Sequence, residues 1–391
     1  MDIQRTGLLA VLGILTYVLF LQWNLYTEAD NPASTVSAQI QPSTKAPKAG
    51  EVPSSSGVAQ APIAPISSNI VADQIIISTS TADMAITLSG GDITQVLLKE
   101  FPVSLKNQDQ PIPLLDYVSR TYFAQSGLVG ADGPDASTDG RPVYKAEQQR
   151  YDITEPTDIS IQATTDTGLI ITKTFSVDPA HYDVKVTHTV QNTSDTAKTV
   201  SPFVQLKRDN SADPSIQNSM GMQAFLGYAL RTVDERYRKV SFSDFETAID
   251  ARELNTELKN NAVAGGYLAL LQHYFTSAWV PSDDQTHLYS FRTNQDGHFI
   301  GSVISPDIVV PAGETKQTSA TFYAGPKDQD ALEAISPGLE LVVDYGWLWF
   351  IAQPLFWLLK FIQTYVGNWG FAIILVTVLV KAAFFQLSAA A

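Results

Sequence analysis

The chain has 391 residues and a formal net charge of −15, with 40 acidic against 25 basic side chains, so it lacks the basic surface that nucleic-acid phosphates require. It contains no cysteine, which excludes disulfide scaffolds, thiolate catalysis and cysteine-ligated zinc or iron–sulfur centres. Apolar residues crowd both ends and the middle is polar and threonine-rich, so ends and middle are expected in different solvents.

Residues 1–26 carry "GLLAVLGILTYVLFLQWNLY" (7–26), long enough to cross a hydrocarbon core of about 30 Å as a helix. No small-x-small cleavage site comes after it, so it is expected to be an uncleaved anchor rather than a signal peptide. Arg5 precedes the run while Glu28 and Asp30 lie just beyond it, which puts the N-terminus in the cytoplasm and exports the chain from residue 27 onward. From 27 to 72 the composition shifts to Pro, Ser, Ala, Thr and Gln, which predicts a disordered, partly extended tether.

From 73 to 327 the pattern is β. "DISIQATTD", "LIITKTFSV", "YDVKVTHTVQN" and "TSATFYAG" are short runs of β-branched and aromatic residues bounded by turn formers. In "DVKVTHTV", Val184, Val186, His188 and Val190 share one face. "SGGDITQ" around Gly90 and Gly91 reads as a hairpin turn, and "ARELNTELKNNAV" as a minor helix. Strands at this spacing over such a length predict a mainly β fold, a large twisted sandwich too long for one immunoglobulin-like unit.

After Pro326 the pattern turns helical and aromatic, with four of the six tryptophans, Trp347, Trp349, Trp357 and Trp369. Indoles favour the membrane–water interface, so within a connector at 328–366 the segment from Asp344 to about Tyr365 is expected to lie along the outer membrane surface, broken or kinked at Pro354. A second transmembrane helix is expected over 367–391.

Candidate chemistry in the exported part is sparse. The five histidines, His181, His188, His273, His287 and His298, form no close metal-binding pair, and His188 is expected to be a satisfied core residue. No hydrolase elbow, Walker loop or dinucleotide fingerprint occurs. The aspartates of "GADGPDASTDG" lack calcium-loop spacing and suit a plain turn. Neither a metal nor a cofactor is expected.

Lys381 is the sharper signal. It lies roughly 16 Å beyond Phe371 along a helix, about halfway through the hydrocarbon core, where an ionised lysine costs about 2.5–3.5 kcal/mol unless it meets water or a partner. It either snorkels to the interface or faces a wet cavity. Thr377, four residues earlier, shares its helix face.

The order of anchor, tether, exported β domain, aromatic helix and lysine-bearing span resembles the YidC family of Gram-negative membrane protein insertases. The resemblance is carried by "GGDITQVLL" (90–98), "AQSGLVGADGPD" (124–135), "GGYLALLQHYFTSAWVP" (265–281), "VDYGWLWFIAQPLF" (343–356) and "VGNWGFAIILVTVLVK" (366–381). It implies a periplasmic, galactose-mutarotase-like supersandwich in a bacterial inner-membrane protein, non-enzymatic insertion and folding of nascent inner-membrane proteins alone or beside the Sec translocon, and ribosome contact through parts beyond this chain. Lys381, with Thr377, would sit in a hydrophilic substrate groove where the family commonly has arginine; lysine keeps the charge but not the planar donor fork. The family's core has five spans and a cytoplasmic hairpin, so the chain is expected to be incomplete. The competing expectation is a membrane-anchored periplasmic carbohydrate-binding or mutarotase-like protein, which would need paired His and Glu in a concave groove.

Overall fold

The computed structural model describes residues 52–53, 74–104, 107–137, 140–213, 225–282, 285–346 and 349–385. The expected anchor at 1–26, nearly all of the tether and Trp347 lie outside them.

The first strands are β1 (Gln74–Ser78), β2 (Ala82–Thr87), β3 (Ile93–Ser104), β4 (Asn107–Asp116), β5 (Tyr122–Val129) and β6 (Arg150–Asp152). Next comes a meander of β7 (Thr157–Thr164), β8 (Leu169–Val177) and β9 (Asp183–Asn192), then β10 (Lys198–Arg208), β11 (Gly227–Leu230) and β12 (Arg238–Ser241). Helix α1 (Ala248–Asn260) precedes β13 (Leu268–Leu271), β14 (Phe275–Pro281), β15 (Leu288–Thr293), β16 (Phe299–Ile304), β17 (Ile308–Val310) and β18 (Thr315–Pro326). Helices α2 (Gln329–Ile335), α3 (Trp349–Val366) and α4 (Trp369–Ala383) end the described chain.

Two sheets result. The ten-stranded sheet runs β15-β16-β10-β5-β4-β3-β2-β1-β6, with β17 added beside β10, and the eight-stranded sheet runs β12-β11-β13-β14-β18-β9-β8-β7. The fold is therefore mainly β and double-layered, as the sequence pattern predicts. The meander shows why: along β8, Leu169, Ile171, Phe175 and Val177 are buried with Lys173 between them, while Ile170, Thr172, Thr174 and Ser176 face outward. The expected helix at 251–263 is α1, starting slightly earlier behind the Thr247 cap, whose hydroxyl accepts from the Asp250 amide.

The core lies between the sheets and includes Ile75, Leu98, Leu115, Phe175, Leu206 and Trp279. Trp279 crosses it, donating Nε1–H to the Gln205 carbonyl at 3.2 Å. A second apolar cluster forms where α2 and the turn after it cover the eight-stranded sheet, with Leu332, Leu339 and Val342 all 0% exposed against Tyr267, Leu271 and Tyr323. The open edge at β15 is blocked by α1: Asn255 accepts from the Phe291 amide at 2.7 Å and donates to its carbonyl at 2.9 Å, as a neighbouring strand would.

Three expectations change. His188 is a buried core residue, but its Nε2 has no hydrogen-bond partner among the described residues; the polar atom is tolerated because burial, with Lys173 and Arg141 nearby, keeps the ring neutral. The aromatic helix is described from Trp349, not Asp344, and continues through Pro354 without a break, the proline forgoing one backbone hydrogen bond inside the helix. Val52, inside the expected tether, is 5% exposed and packs with Val129, Phe203 and Ile304.

Candidate functional site

The C-terminal helices expose what a soluble domain buries. On α3, Trp357 is 66% exposed and its ring stacks on Phe361 at 5.7 Å, which meets Tyr365 at 5.1 Å. The spacing of four residues builds this ladder on one face. Helix α4 packs against α3, burying Ala372, yet Phe371, Ile374, Val378 and Leu379 are more than half exposed. Such a continuous apolar surface marks an interaction with another apolar phase. Among the described residues, no helix is by itself long and apolar enough to cross a membrane; α4 has 15 described residues.

Asn368 starts α4 as its cap, its Oδ1 accepting from the Gly370 amide at 2.8 Å and the Phe371 amide at 3.2 Å. Thr377 and Lys381 lie on one face of α4, and both are exposed. The Thr377 hydroxyl bonds back to the Ile373 carbonyl at 2.8 Å, satisfying itself within the helix. Lys381 forms no ion pair among the described residues. Trp369 is 49% exposed at the start of α4, and Trp349 begins α3, its side chain outside the described set.

The junction between α3 and the β domain is polar. Lys360 on α3 donates to Asp330 in the first turn of α2 at 2.6 Å, and the hydrogen bond raises the Lys360 pKa. The Tyr345 hydroxyl reaches Gln329 at 3.1 Å while its ring lies 6.1 Å from Phe356. Lys239 on β12 pairs with Asp344. Gly346, between these contacts and α3, has φ +64°, a conformation in which side chains are strained.

Deeper in the β domain lies a charged cluster that sequence reasoning missed. Arg141, 7% exposed, pairs with Asp92 and with Asp135, the latter at 2.7 Å. Lys173 crosses from the facing sheet to donate to the carbonyls of Gly90, Gly91 and Ser126 at 2.9, 3.0 and 2.9 Å. Gly90 and Gly91 form the expected hairpin turn with φ +79° and +64°, and a Cβ on Gly90 would collide with the Arg141 guanidinium. One on Gly127 would collide with Asp135. Asp135 also accepts from the Leu128 amide, and the other aspartate of its loop, Asp132, accepts from Lys198 and the Thr199 amide, so each carboxylate already has protein partners. The available signal was the pairing of glycines with aspartates in "GGDITQVLL" and "AQSGLVGADGPD". The histidines are dispersed: His181 lies near Asp178, His188 is on β9, His273 is in the β13–β14 turn, His287 bonds the Ser282 carbonyl and His298 lies near Asn294.

Residues 74–358 match the family model of the YidC periplasmic domain. The chain belongs to the YidC family. It is 43% identical over 401 residues to the membrane protein insertase YidC of Azotobacter vinelandii, covering all of this chain and 70% of that protein. Against the insertases YidC of Pseudomonas fluorescens and Pseudomonas putida strain W619, identity is 43% and 42% with the same coverage. Among solved structures, a galactose mutarotase-like protein from Lactobacillus casei aligns at 9% identity and TM-score 0.40, covering 64% of this chain and 99% of that one. A putative aldose 1-epimerase from Escherichia coli K12 aligns at 7% and 0.39, covering 64% and 98%. By the family match the described β domain is a YidC periplasmic domain, and the matched stretch ends inside α3, so the YidC domain and the aromatic helix overlap along the chain.

Proposed function

We propose that this chain acts as a membrane protein insertase of the YidC type. The reading rests on kinship with YidC insertases along the entire chain. In it, α4 and the residues after it span the inner membrane, α3 lies on the periplasmic surface with Trp357 and Trp369 as interfacial anchors, and the β domain stands in the periplasm.

The mechanism is physical. Lys381 and Thr377 contribute a polar stripe to a wet groove, completed by further spans, that lowers the cost of bringing polar or acidic segments of a nascent chain into the bilayer. Apolar substrate helices then pass into lipid. No covalent step is needed, so the reading is not enzymatic. The Sec translocon and the ribosome are the proposed protein partners.

The test is complementation. In a Gram-negative strain depleted of its own YidC, the gene product should restore growth and the insertion of a single-span reporter, scored by protease access to its periplasmic tail. Failure of a stably expressed product to restore either would reject the reading.

A further inference from the structure

Strand β10 is buried along both faces. Val204 and Leu206 point into the core between the sheets, so Phe203 and Gln205 point away from it, yet Phe203 is 1% and Gln205 0% exposed. Strand β5 repeats this: Ala124 and Leu128 face the core, while Gln125 and Val129 face outward and are buried as well. Facing outward elsewhere means meeting water, as the half-exposed Thr172 and Thr174 do on β8.

Where this outward face is polar, its side chains bond one another. Ser302 donates to Gln205 Oε1 at 2.8 Å, Gln205 Nε2 to Gln125 Oε1 at 2.6 Å, and Gln125 Nε2 to Asp92 at 2.7 Å. Beside this ladder the face is apolar: Phe203 lies between Gly127 on β5 and Ile304 on β16 in the strand register, and Val129 follows Gly127 on the same face. Val52 fills this apolar part, packing with Val129, Phe203 and Ile304 beside the partly buried Ala136. It is 5% exposed, and Pro53 is buried with it. Two features of the sequence suit this pair to the place. Between Ile40 and Val58, Val52 is the only large apolar side chain, so nothing else in that stretch competes for the seat. Pro53 has no N–H to satisfy when buried and narrows the backbone freedom of Val52, which lowers the entropy lost on seating.

We infer that the outward face of β5, β10 and β16 is a docking seat for the chain's own Val52–Pro53, which straps the segment ahead of β1 to the β domain. Fastening at Val52 rather than at Gln74 cuts the greatest length of chain between residue 26 and the β domain from about 160 Å to about 90 Å. The strap therefore limits how far the β domain can range from an anchor at residues 1–26. The seat itself is independent of the insertase reading and remains testable if that reading fails.

The experiment uses the full chain purified in detergent. Because the chain has no cysteine, each introduced thiol reports alone on its reaction with a maleimide. Val52→Cys is compared with Val143→Cys, a position 70% exposed. The residue-52 thiol should react at least about tenfold more slowly, since a seated side chain reacts only through local opening, and the two rates should converge in denaturing urea. Equal rates in the folded chain would overturn the seat. The protection should survive dilution; its loss on dilution would assign the seat to a second copy's segment and overturn the strap. Adding Ile304→Ala, which removes one wall, should raise the residue-52 rate about fivefold or more, while a thiol at Val186→Cys, in the core, stays protected under the same change. A residue-52 rate unmoved by Ile304→Ala would overturn the assigned seat. If Ile304→Ala unfolds the domain and frees the residue-186 thiol too, the comparison of residues 52 and 143 and its dilution series decide alone.

Discussion

Lys173 and Arg141 donate to the same two backbone carbonyls. Gly90 O lies 2.9 Å from Lys173 Nζ and 3.4 Å from Arg141 Nη2, and Ser126 O lies 2.9 and 3.0 Å from the same atoms. The Gly90–Gly91 turn is thereby pinned by a cation from each of two directions, while Arg141 pairs with both Asp92 and Asp135. Arg141→Ala should destabilise the β domain by about 3–5 kcal/mol, because it strands two buried carboxylates. Lys173→Met should cost about 1–3 kcal/mol for each carbonyl left without a substitute donor. Because acceptors are shared, the double variant should deviate from additivity. Urea midpoints at unchanged slope measure all three; additive losses would show that the two cations act separately.

Stability should depend on pH through His188 and Lys173 with predictable signs. Burial, then Lys173 and Arg141, hold the His188 pKa well below its ordinary value. The unfolded chain therefore binds a proton below about pH 6.5 that the folded chain refuses, so stability falls as pH falls through that window, by about 1.4 kcal/mol per unit. Burial pulls Lys173 down to about 8. Between about pH 8 and 10.4 the unfolded lysine holds a proton the folded one has lost, so its contribution rises with pH. Comparing unfolding curves of His188→Leu with the parent isolates the acid window: the variant should gain relative stability from about pH 6.5 downward. A constant difference across pH would contradict this.

The soluble part of the chain should be cut after residue 346 rather than at 327. Leu332, Leu339 and Val342 are fully buried on the eight-stranded sheet, each contributing about 1.5–3 kcal/mol by burial. A fragment of residues 74–346 should be monomeric, β-rich and measurably more stable than one of 74–327. Equal thermal midpoints would show that the α2 cover adds nothing.

Lys360 and Asp330 should act as a latch rather than a stabiliser. Both side chains are exposed, and exposed pairs add at most about 1 kcal/mol. Lys360→Asp should leave the thermal midpoint nearly unchanged yet increase proteolysis near Gly346, and adding Asp330→Lys should restore protection. Unaltered cleavage in the single variant would remove the latch.

Lys381 should matter by charge. In the native gene product, Lys381→Arg should preserve insertion, while Lys381→Ala and Lys381→Glu should impair substrates with acidic translocated tails most. Equal insertion of acidic-tailed and neutral-tailed substrates by Lys381→Glu, at matched protein levels, would leave snorkelling as the lysine's only role.

What the sequence by itself determined is whatever local periodicity carries. The meander strands are legible because alternate burial writes a period of two into them, as Val184, Val186 and Val190 do opposite Lys185, and the Trp357–Phe361–Tyr365 ladder is legible because a helix brings every fourth residue back to one face. The family motifs likewise lie in contiguous stretches. The tertiary structure alone decided which distant residues meet. Nothing local to Asp92, Asp135, Arg141 or Lys173 says that four chain segments converge on one turn, and nothing local to Arg120 or Arg208 says that both lie over Tyr122. Charges in sequence look solvated by default; only the packing of two sheets removes the water and makes their partners obligatory.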